Sequence, residues 1–323
     1  MRELTREPVQ NAAPEEDLGS QWLAHMLRGD FAAAWRVSDE VMRRRAGAQA
    51  AHLERHEQPV WNGTPLDGAR VLIRCYHGLG DTIQFIRYAP LVRAIAREVI
   101  VWAQPALIPL LRTMRGIDRL EPLHDGAPDV RYDVDVEVME LPFVFRSTPT
   151  TVPAEVPYLH VEPAHLERDA SLMVGLVSMA GDWGTTRSVP LDALAPLAEL
   201  RGVSVRLLHP AREPRREGAF TTAGGTDTIL GTARLMRALD LVISPDTMPA
   251  HLAGALGVPV WTLLRRECDW RWMAEGDRSP WYPTMRLFRQ ERAGDWEPVV
   301  ARVAKRLGEL GDACRASSDE LGK

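Results

Sequence analysis

Short apolar runs alternate with stretches of helical period twice along this 323-residue chain, and the proline-rich segment 149–163, PTTVPAEVPYLHVEP, stands between the two series. In the first series RVLIRC (70–75) precedes TIQFIRYAPLVRAIAR (82–97), where Ile83, Ile86, Leu91 and Ile95 fall at roughly helical spacing. EVIVWAQ (98–104), PALIPLLRTM (105–114) and the polar–apolar alternation DVDVEV (133–138) complete a β-α-β-α-β pattern. The second series passes through the strand-like runs LMVGLVS, VSVRLLHP, LVIS and VPVWTLL, with helical stretches between them, then MRLFRQ and a helix at 295–310. Apolar strands separated by helices predict parallel sheets covered on both faces. A chain of this length exceeds what one core prefers. The pattern therefore predicts an α/β protein with two Rossmann-like domains facing a cleft, where ligands sit beyond the carboxyl ends of the strands.

Ahead of the sheets, Trp22, Leu23, Met26 and Leu27 share one helical face, Gly29-Asp30 breaks the pattern, and Phe31, Ala34, Trp35, Val41 and Met42 form a second stripe. Residues 18–58 thus read as a helical hairpin, either generic or similar to a tetratricopeptide-type (TPR-like) pair. A single pair cannot bury both its faces, so it should pack on the sheet domains after it. Residues 1–17 are polar with two prolines and read as disordered; 311–323 reads as a frayed tail. The domains are then expected at 59–160 and 161–310.

Composition removes several classes of function. A net charge of −5 gives no pull toward nucleic acid. No run of about 18 apolar residues exists to span a membrane, and the polar N-terminus lacks the apolar core of a signal peptide, so a cytoplasmic location is expected. Cys75, Cys268 and Cys314 are far apart and form no C-x-x-C, which argues against a disulfide framework or a zinc site. All Lys and Arg residues but Lys305 and Lys323 are arginines, so a phosphate site here would use arginine or backbone N–H groups.

Three stretches carry candidate chemistry. In YHGLGDTIQF, Gly78-Leu79-Gly80 follows the first strand as in a dinucleotide-binding turn, but Ile83 stands where a third glycine is wanted and Asp81 follows the second. No acidic residue ends EVIVWAQ to hold a ribose, which speaks against a nicotinamide oxidoreductase. Asp81 is either a helix N-cap or a carboxylate held at the cleft. In SMAGDWGTTRSVPL, a loop rich in Gly, Ser and Thr includes Thr185, Thr186 and Arg187, with Arg187 either a phosphate contact or a surface residue. In SPDTMPAHLAGALG, Asp246 and Thr247 stand where a helix begins, whose N–H groups and dipole form an anion site; His251 shares a helix face with Thr247. The plain alternative is that Asp246 caps the helix and His251 is an interior histidine.

GLGDTIQFIRYAPLVRA together with SPDTMPAHLAGALGVPVWTLL resembles the heptosyltransferase-type glycosyltransferases of family 9, which have the GT-B architecture. WNGTPLDGARVLI, QPALIPLL, DWRWMAEGDRSPWYP and LFRQERAGDWEPVVARVAKRL are similar to the bacterial branch carrying tetratricopeptide repeats. The resemblance covers roughly residues 20–310, and its G-L-G-D and D-T-x-x-x-H-L-A elements lie about 165 residues apart. It implies inverting transfer of a sugar, with heptose a candidate, from a nucleotide-sugar donor to a glycan, protein or small-molecule acceptor; the phosphate loops hold no D-x-D element, so neither a metal nor a cofactor is expected beside Arg187 and the helix start. It implies that Asp81 is the general base and that Arg187, Asp246, Thr247 and His251 hold the donor diphosphate. Gly80, Thr185 and Thr186 join them as donor-side candidates. Two positions depart from the pattern: Met248 where glycine usually follows D-T, and Arg187 where lysine is common. The alternative is a non-catalytic GT-B domain that binds a nucleotide sugar or a partner protein.

Overall fold

A computed structural model describes residues 17–46, 61, 63–168, 171–181 and 185–321. It opens with helices α1 (Leu18–Leu27) and α2 (Phe31–Ala46). Gly29 joins them at φ +76°, a conformation that suits a residue without Cβ. Asp17, assigned to the disordered stretch from sequence, instead caps α1, accepting from the Gly19 N–H at 3.0 Å. The rest of that stretch, 1–16, and residues 47–58 of the expected hairpin lie outside the described residues.

The first domain contains β1 (Arg70–Cys75), α3 (Leu79–Phe85), α4 (Ala89–Ile95), β2 (Glu98–Ala103), α5 (Ile108–Leu111), β3 (Arg119–Pro122), β4 (Val134–Glu137) and α6 (Leu141–Val144). Its four strands are parallel in the order β3-β2-β1-β4. Central β1 is apolar because both its faces are covered, whereas β4 lies at the edge, which is why its sequence alternates. There Asp135 forms an ion pair with Arg74 of β1. The segment RLEP that forms β3 is an edge strand with little apolar content and gave no signal in the sequence.

Between Val144 and Leu172 no helix or strand is present among the described residues. The second domain follows with β5 (Leu172–Leu176), α7 (Leu191–Leu194), β6 (Val203–Leu207), β7 (Arg216–Glu217), β8 (Phe220–Thr222), α8 (Ile229–Met236), β9 (Leu241–Pro245), α9 (Met248–Ala255), β10 (Val260–Leu264), β11 (Met285–Arg289) and α10 (Glu297–Leu321). The sheet order is β11-β10-β9-β5-β6-β8-β7, and only the short β7–β8 pair is antiparallel. All residues of β9 and β10 are buried. The tail expected to fray from 311 instead continues α10 to Leu321. Gly311 explains the anchoring: a Cβ there would lie 2.7 Å from the Arg201 carbonyl, so helix and loop touch backbone to backbone.

The hairpin packs on both domains through aromatic rings. Trp22 meets Trp270 at 5.5 Å between centroids, Phe31 stacks on Trp281 at 6.2 Å, and Trp35 meets Phe143 of the first domain at 5.8 Å. The Trp35 indole also donates to the Ser147 carbonyl at 2.7 Å. The seam between the domains is closed by buried Arg87. Its guanidinium donates to the carbonyls of Gln84 (2.7 Å) and Trp281 and to the Tyr158 hydroxyl (3.0 Å), and it lies over the Tyr282 ring at 4.4 Å. One buried cluster accordingly runs from the hairpin through the first domain into α9.

Candidate functional site

The cleft floor is made where the start of α3 meets the start of α9. β1 ends at Cys75, and Gly78 forms the N-cap of α3. Asp81, in the first turn, turns back to accept from the Gly78 N–H at 3.1 Å. A Cβ on Gly80 would lie 2.9 Å from His251 Cδ2 and 3.4 Å from Met248 Cα. Glycine is required at position 80 because two helices from different domains approach there, which gives the residue a steric part.

The second oxygen of Asp81 is engaged across the cleft. Oδ1 lies 2.9 Å from Arg271 Nη1, with the two side chains 21% and 9% exposed. Arg271 belongs to a 3₁₀ turn, Trp270–Trp272, in the loop after β10. Its guanidinium lies 5.5 Å from the Phe85 ring centroid and 5.7 Å from that of Trp270. Nε is 3.0 Å from Asp269 Oδ1 without forming a hydrogen bond. Burial opposes the charge on this guanidinium, but Asp269, Asp81 and Asp246 outweigh it and raise its proton affinity.

On the opposite wall, β9 delivers Asp246 and Thr247 to the start of α9. Thr247 is the N-cap, yet its hydroxyl makes no capping bond; it contacts Ser244 Oγ at 3.1 Å and the Pro245 carbonyl at 3.3 Å. Pro249 in the first turn has no N–H, so this helix start offers one donor fewer than the sequence reading assumed. Asp246 is buried, and burial raises its carboxyl pKa against the opposing effect of Arg271. Its Oδ1 has no hydrogen-bond partner and lies 3.9 Å from His251 Nε2. His251 is itself buried, bonded to the Tyr282 hydroxyl at 3.1 Å and stacked on Trp272 at 5.4 Å. Burial, then the charges of Arg271, Arg87 and Arg187, push its pKa well below the usual histidine value. Burial thus favours the neutral imidazole, and Tyr282 and Trp272 hold the ring in place.

The loop after β5 is pinned at its neck. The Val189 N–H donates to the Ser178 carbonyl at 2.8 Å, and the Ala180 N–H to Ser188 Oγ at 2.9 Å. Ser178 is held in turn by His209, Oγ to Nε2 at 2.9 Å, and His209 by Glu217 at 2.9 Å. This array has the spacing of a catalytic triad, but Ser178 is 1% exposed, so it anchors the loop. Arg187 ends a 3₁₀ turn, Thr185–Arg187, and lines the cleft. Thr186 is exposed and accepts from Arg265 at 3.1 Å, away from the cavity lining. The side chain of Thr185 lies outside the described residues.

Asp81, Gly80, Arg187, Thr247 and His251 line one cavity of about 390 Å³, and Asp246 is buried behind it. That volume suits a small-molecule ligand. A larger cavity, about 680 Å³, follows the inter-domain linker near Pro157 and Glu162; the arginines at its rim, Arg234 and Arg237, are exposed. Two ionisable residues of the cavity, Arg271 and His77, are not among the candidates from sequence. Arg271 lies in DWRWM, which shows no phosphate-loop pattern. His77 stands immediately before the glycine turn, and its Nε2 lies 2.8 Å from Glu137 Oε2 at the end of β4. The hydrogen bond to Glu137 raises the His77 pKa against the effect of burial, and Asp81 and Glu140 add to the rise.

No family model matches the chain. Among characterised proteins, it is similar to Protein FlbA of Caulobacter vibrioides, 27% identical over 285 residues covering 76% of this chain and 48% of that protein. The chain thus spans about half the length of that relative. Among solved structures, the glycosyl transferase family 9 protein from Veillonella parvula superposes with a TM-score of 0.52 at 15% identity, covering 71% of this chain and 88% of that one. The heptosyltransferase TibC of enterotoxigenic E. coli, solved with ADP-D-β-D-heptose, gives 0.52 at 14% identity and covers 78% of each chain. The chain has the fold of these family 9 glycosyltransferases: two Rossmann-like domains facing a cleft, here preceded by the hairpin α1–α2.

Proposed function

We propose that this chain is an inverting, metal-independent glycosyltransferase that uses a nucleotide-sugar donor. One observation carries the reading: a carboxylate, Asp81, faces Arg187, Arg271 and the open start of α9 across a single cavity. In an inverting transfer the acceptor oxygen attacks the anomeric carbon, and its proton passes to Asp81. The bond from that carbon to the diphosphate breaks, and the electron pair leaves with the diphosphate. A positioned base contributes typically about 10²–10⁴-fold to such a step. The leaving charge meets an arginine and the Met248 end of α9, which are preorganised in place of a metal. TibC was solved with ADP-heptose, so a heptose donor is the first to test. The acceptor is a hydroxyl of a glycan, protein or small molecule, and the reaction belongs to the cytoplasm.

The test is a thermal-shift panel of ADP-, GDP-, UDP-, dTDP- and CMP-linked sugars, followed by assay of donor hydrolysis and of transfer with and without EDTA. A donor at about 100 times its Kd should stabilise the fold by about 2.7 kcal/mol. No shift with any donor would end the reading. Turnover abolished by EDTA would end its metal-independent part. A shift without hydrolysis or transfer would move the chain to the non-catalytic alternative.

A further inference from the structure

The base in this reading is not free. Asp81 spends one oxygen on the Gly78 N–H and the other on Arg271. Both carboxylate oxygens are therefore engaged by groups of the chain itself before an acceptor hydroxyl arrives. Arg271, for its part, has donors to spare. It faces the cavity, its Nε forms no hydrogen bond, and its backbone is fixed at both ends: the N–H on Asp269 at 3.0 Å, the carbonyl under the Trp281 indole at 2.9 Å. The backbone is therefore fixed, and any change of partner falls to the guanidinium, which lies between the rings of Phe85 and Trp270 with Nε 3.0 Å from Asp269.

Charge balance makes such a turn favourable when an anion arrives. Arg271 and Arg187 stand among Asp81, Asp269 and Asp246. Fully ionised, the five groups carry a net negative charge; protonation of one carboxylate removes it, and a guanidinium that leaves Asp81 brings its positive charge nearer to a diphosphate. Burial favours the neutral form of Asp246. Asp81 is the more exposed of the two acids, so water can replace its lost partner.

We infer that Arg271 is a shared cation: it holds Asp81 while the cleft is empty and turns to the donor diphosphate when the cleft fills, so that donor binding releases the base. The inference rests on the nucleotide-sugar reading and adds an order to it. A base released only after the donor is seated acts only when transfer can occur.

If Asp81 and the diphosphate compete for Arg271, removing the Asp81 charge should tighten nucleotide binding. ADP, GDP, UDP, dTDP and CDP would each be titrated calorimetrically into the full chain, Asp81→Asn, Arg271→Lys and the double variant. The nucleotide that binds the parent should bind Asp81→Asn about three- to tenfold tighter, the size of one screened charge contact. It should bind Arg271→Lys more weakly than the parent. In the double variant the gain from Asp81→Asn should disappear, because it runs through the arginine. A gain that survives in the Arg271→Lys background reflects simple repulsion and overturns the inference. So does Asp81→Asn binding that equals or falls below the parent's. Should Arg271→Lys fail to melt cooperatively, Arg271→Gln takes its place in both the single and the double variant, and Asn at position 81 still offers an oxygen to the Gly78 N–H. If no nucleotide binds parent or variant, the nucleotide-sugar reading itself fails, and this inference with it.

Discussion

Two helices begin at the floor of one cleft, and they treat their exposed ends in opposite ways. α3 closes its own start: Asp81 accepts from the Gly78 N–H, and the negative charge answers the helix dipole from within the chain. α9 leaves its start open. Thr247 turns its hydroxyl back to β9, Pro249 supplies no N–H, and no side chain caps the first turn. A glycine turn before a helix is therefore not by itself a phosphate site. What decides is whether the chain has already used the positive end. The first domain has used it and presents a carboxylate; the second has not and presents Arg187.

The largest test of this contrast is Asp81→Asn. Gly78, not Asp81, is the N-cap, and Asn at position 81 still offers an oxygen to the Gly78 N–H, so the start of α3 should survive while the proton acceptor is lost. Turnover should fall by about 10²–10⁴-fold, with nucleotide affinity unchanged or tightened. Rates of donor hydrolysis or transfer, set beside calorimetric affinities, would measure it. A fully active variant would reduce Asp81 to a helix cap and remove the functional difference between the two ends.

Next in size is Arg187→Ala, aimed at the open end. Loss of a hydrogen bond to a charged group should weaken nucleoside diphosphate binding by roughly 1.5–3 kcal/mol. Arg187→Lys should restore part of it, since the charge stays and the planar fork is lost. Parent-like affinity in both variants would make Arg187 a surface residue of its loop.

Smaller again is the stability cost of opening α3. Asp81→Ala removes the acceptor for the Gly78 N–H and should destabilise the chain by about 1 kcal/mol more than Asp81→Asn, which keeps that acceptor; both variants lose the ion pair to Arg271. Denaturant melts of the two variants side by side check this. Equal losses would show that the ion pair to Arg271, which both variants break, outweighs the cap.

The contrast was half readable in the sequence. Asp81 and the Asp246–Thr247 turn are visible because each lies within ten residues of an apolar strand and a helix start, so local pattern places them. The partners that fix their behaviour are not local. Arg271 reaches Asp81 from about 190 residues away, out of a loop with no periodicity. His251 shares a helix face with Thr247 as expected, but Tyr282 and Trp272 bury it, and only the packed structure shows that. Gly80 reads as part of a phosphate turn, yet its missing side chain answers to His251 Cδ2 in the other domain. The sheets were readable where strands are long and covered on both faces; β3 and β7 were not, because they lie at sheet edges without an apolar run, and neither was β8, largely buried but only three residues long.

The smallest predicted effect contrasts the histidines of the two walls, and its sign is what matters. Glu137, and secondarily Asp81 and Glu140, raise the His77 pKa above the ordinary value of 6.5, while burial lowers that of His251 well below it. For His77 the folded state holds the proton more tightly than the unfolded chain. Its contribution to stability is full below pH 6.5 and is lost as pH rises through the folded value. For His251 the unfolded chain takes a proton that the folded state refuses, so stability falls as pH drops below 6.5. His77→Gln removes the first effect and leaves the second. The gap in Tm between parent and variant should therefore be widest near pH 5.5 and close toward pH 9. With the ring partly exposed, the gap should stay within about 1 kcal/mol, or roughly 1–2 °C for a chain of this size. Melts of both proteins across that range would measure it. A gap that does not change with pH would mean that His77 keeps one protonation state throughout, and that its bond to Glu137 holds the loop without sensing charge. A gap that widens with rising pH would reverse the assignment and place His77 with His251 as a histidine kept neutral.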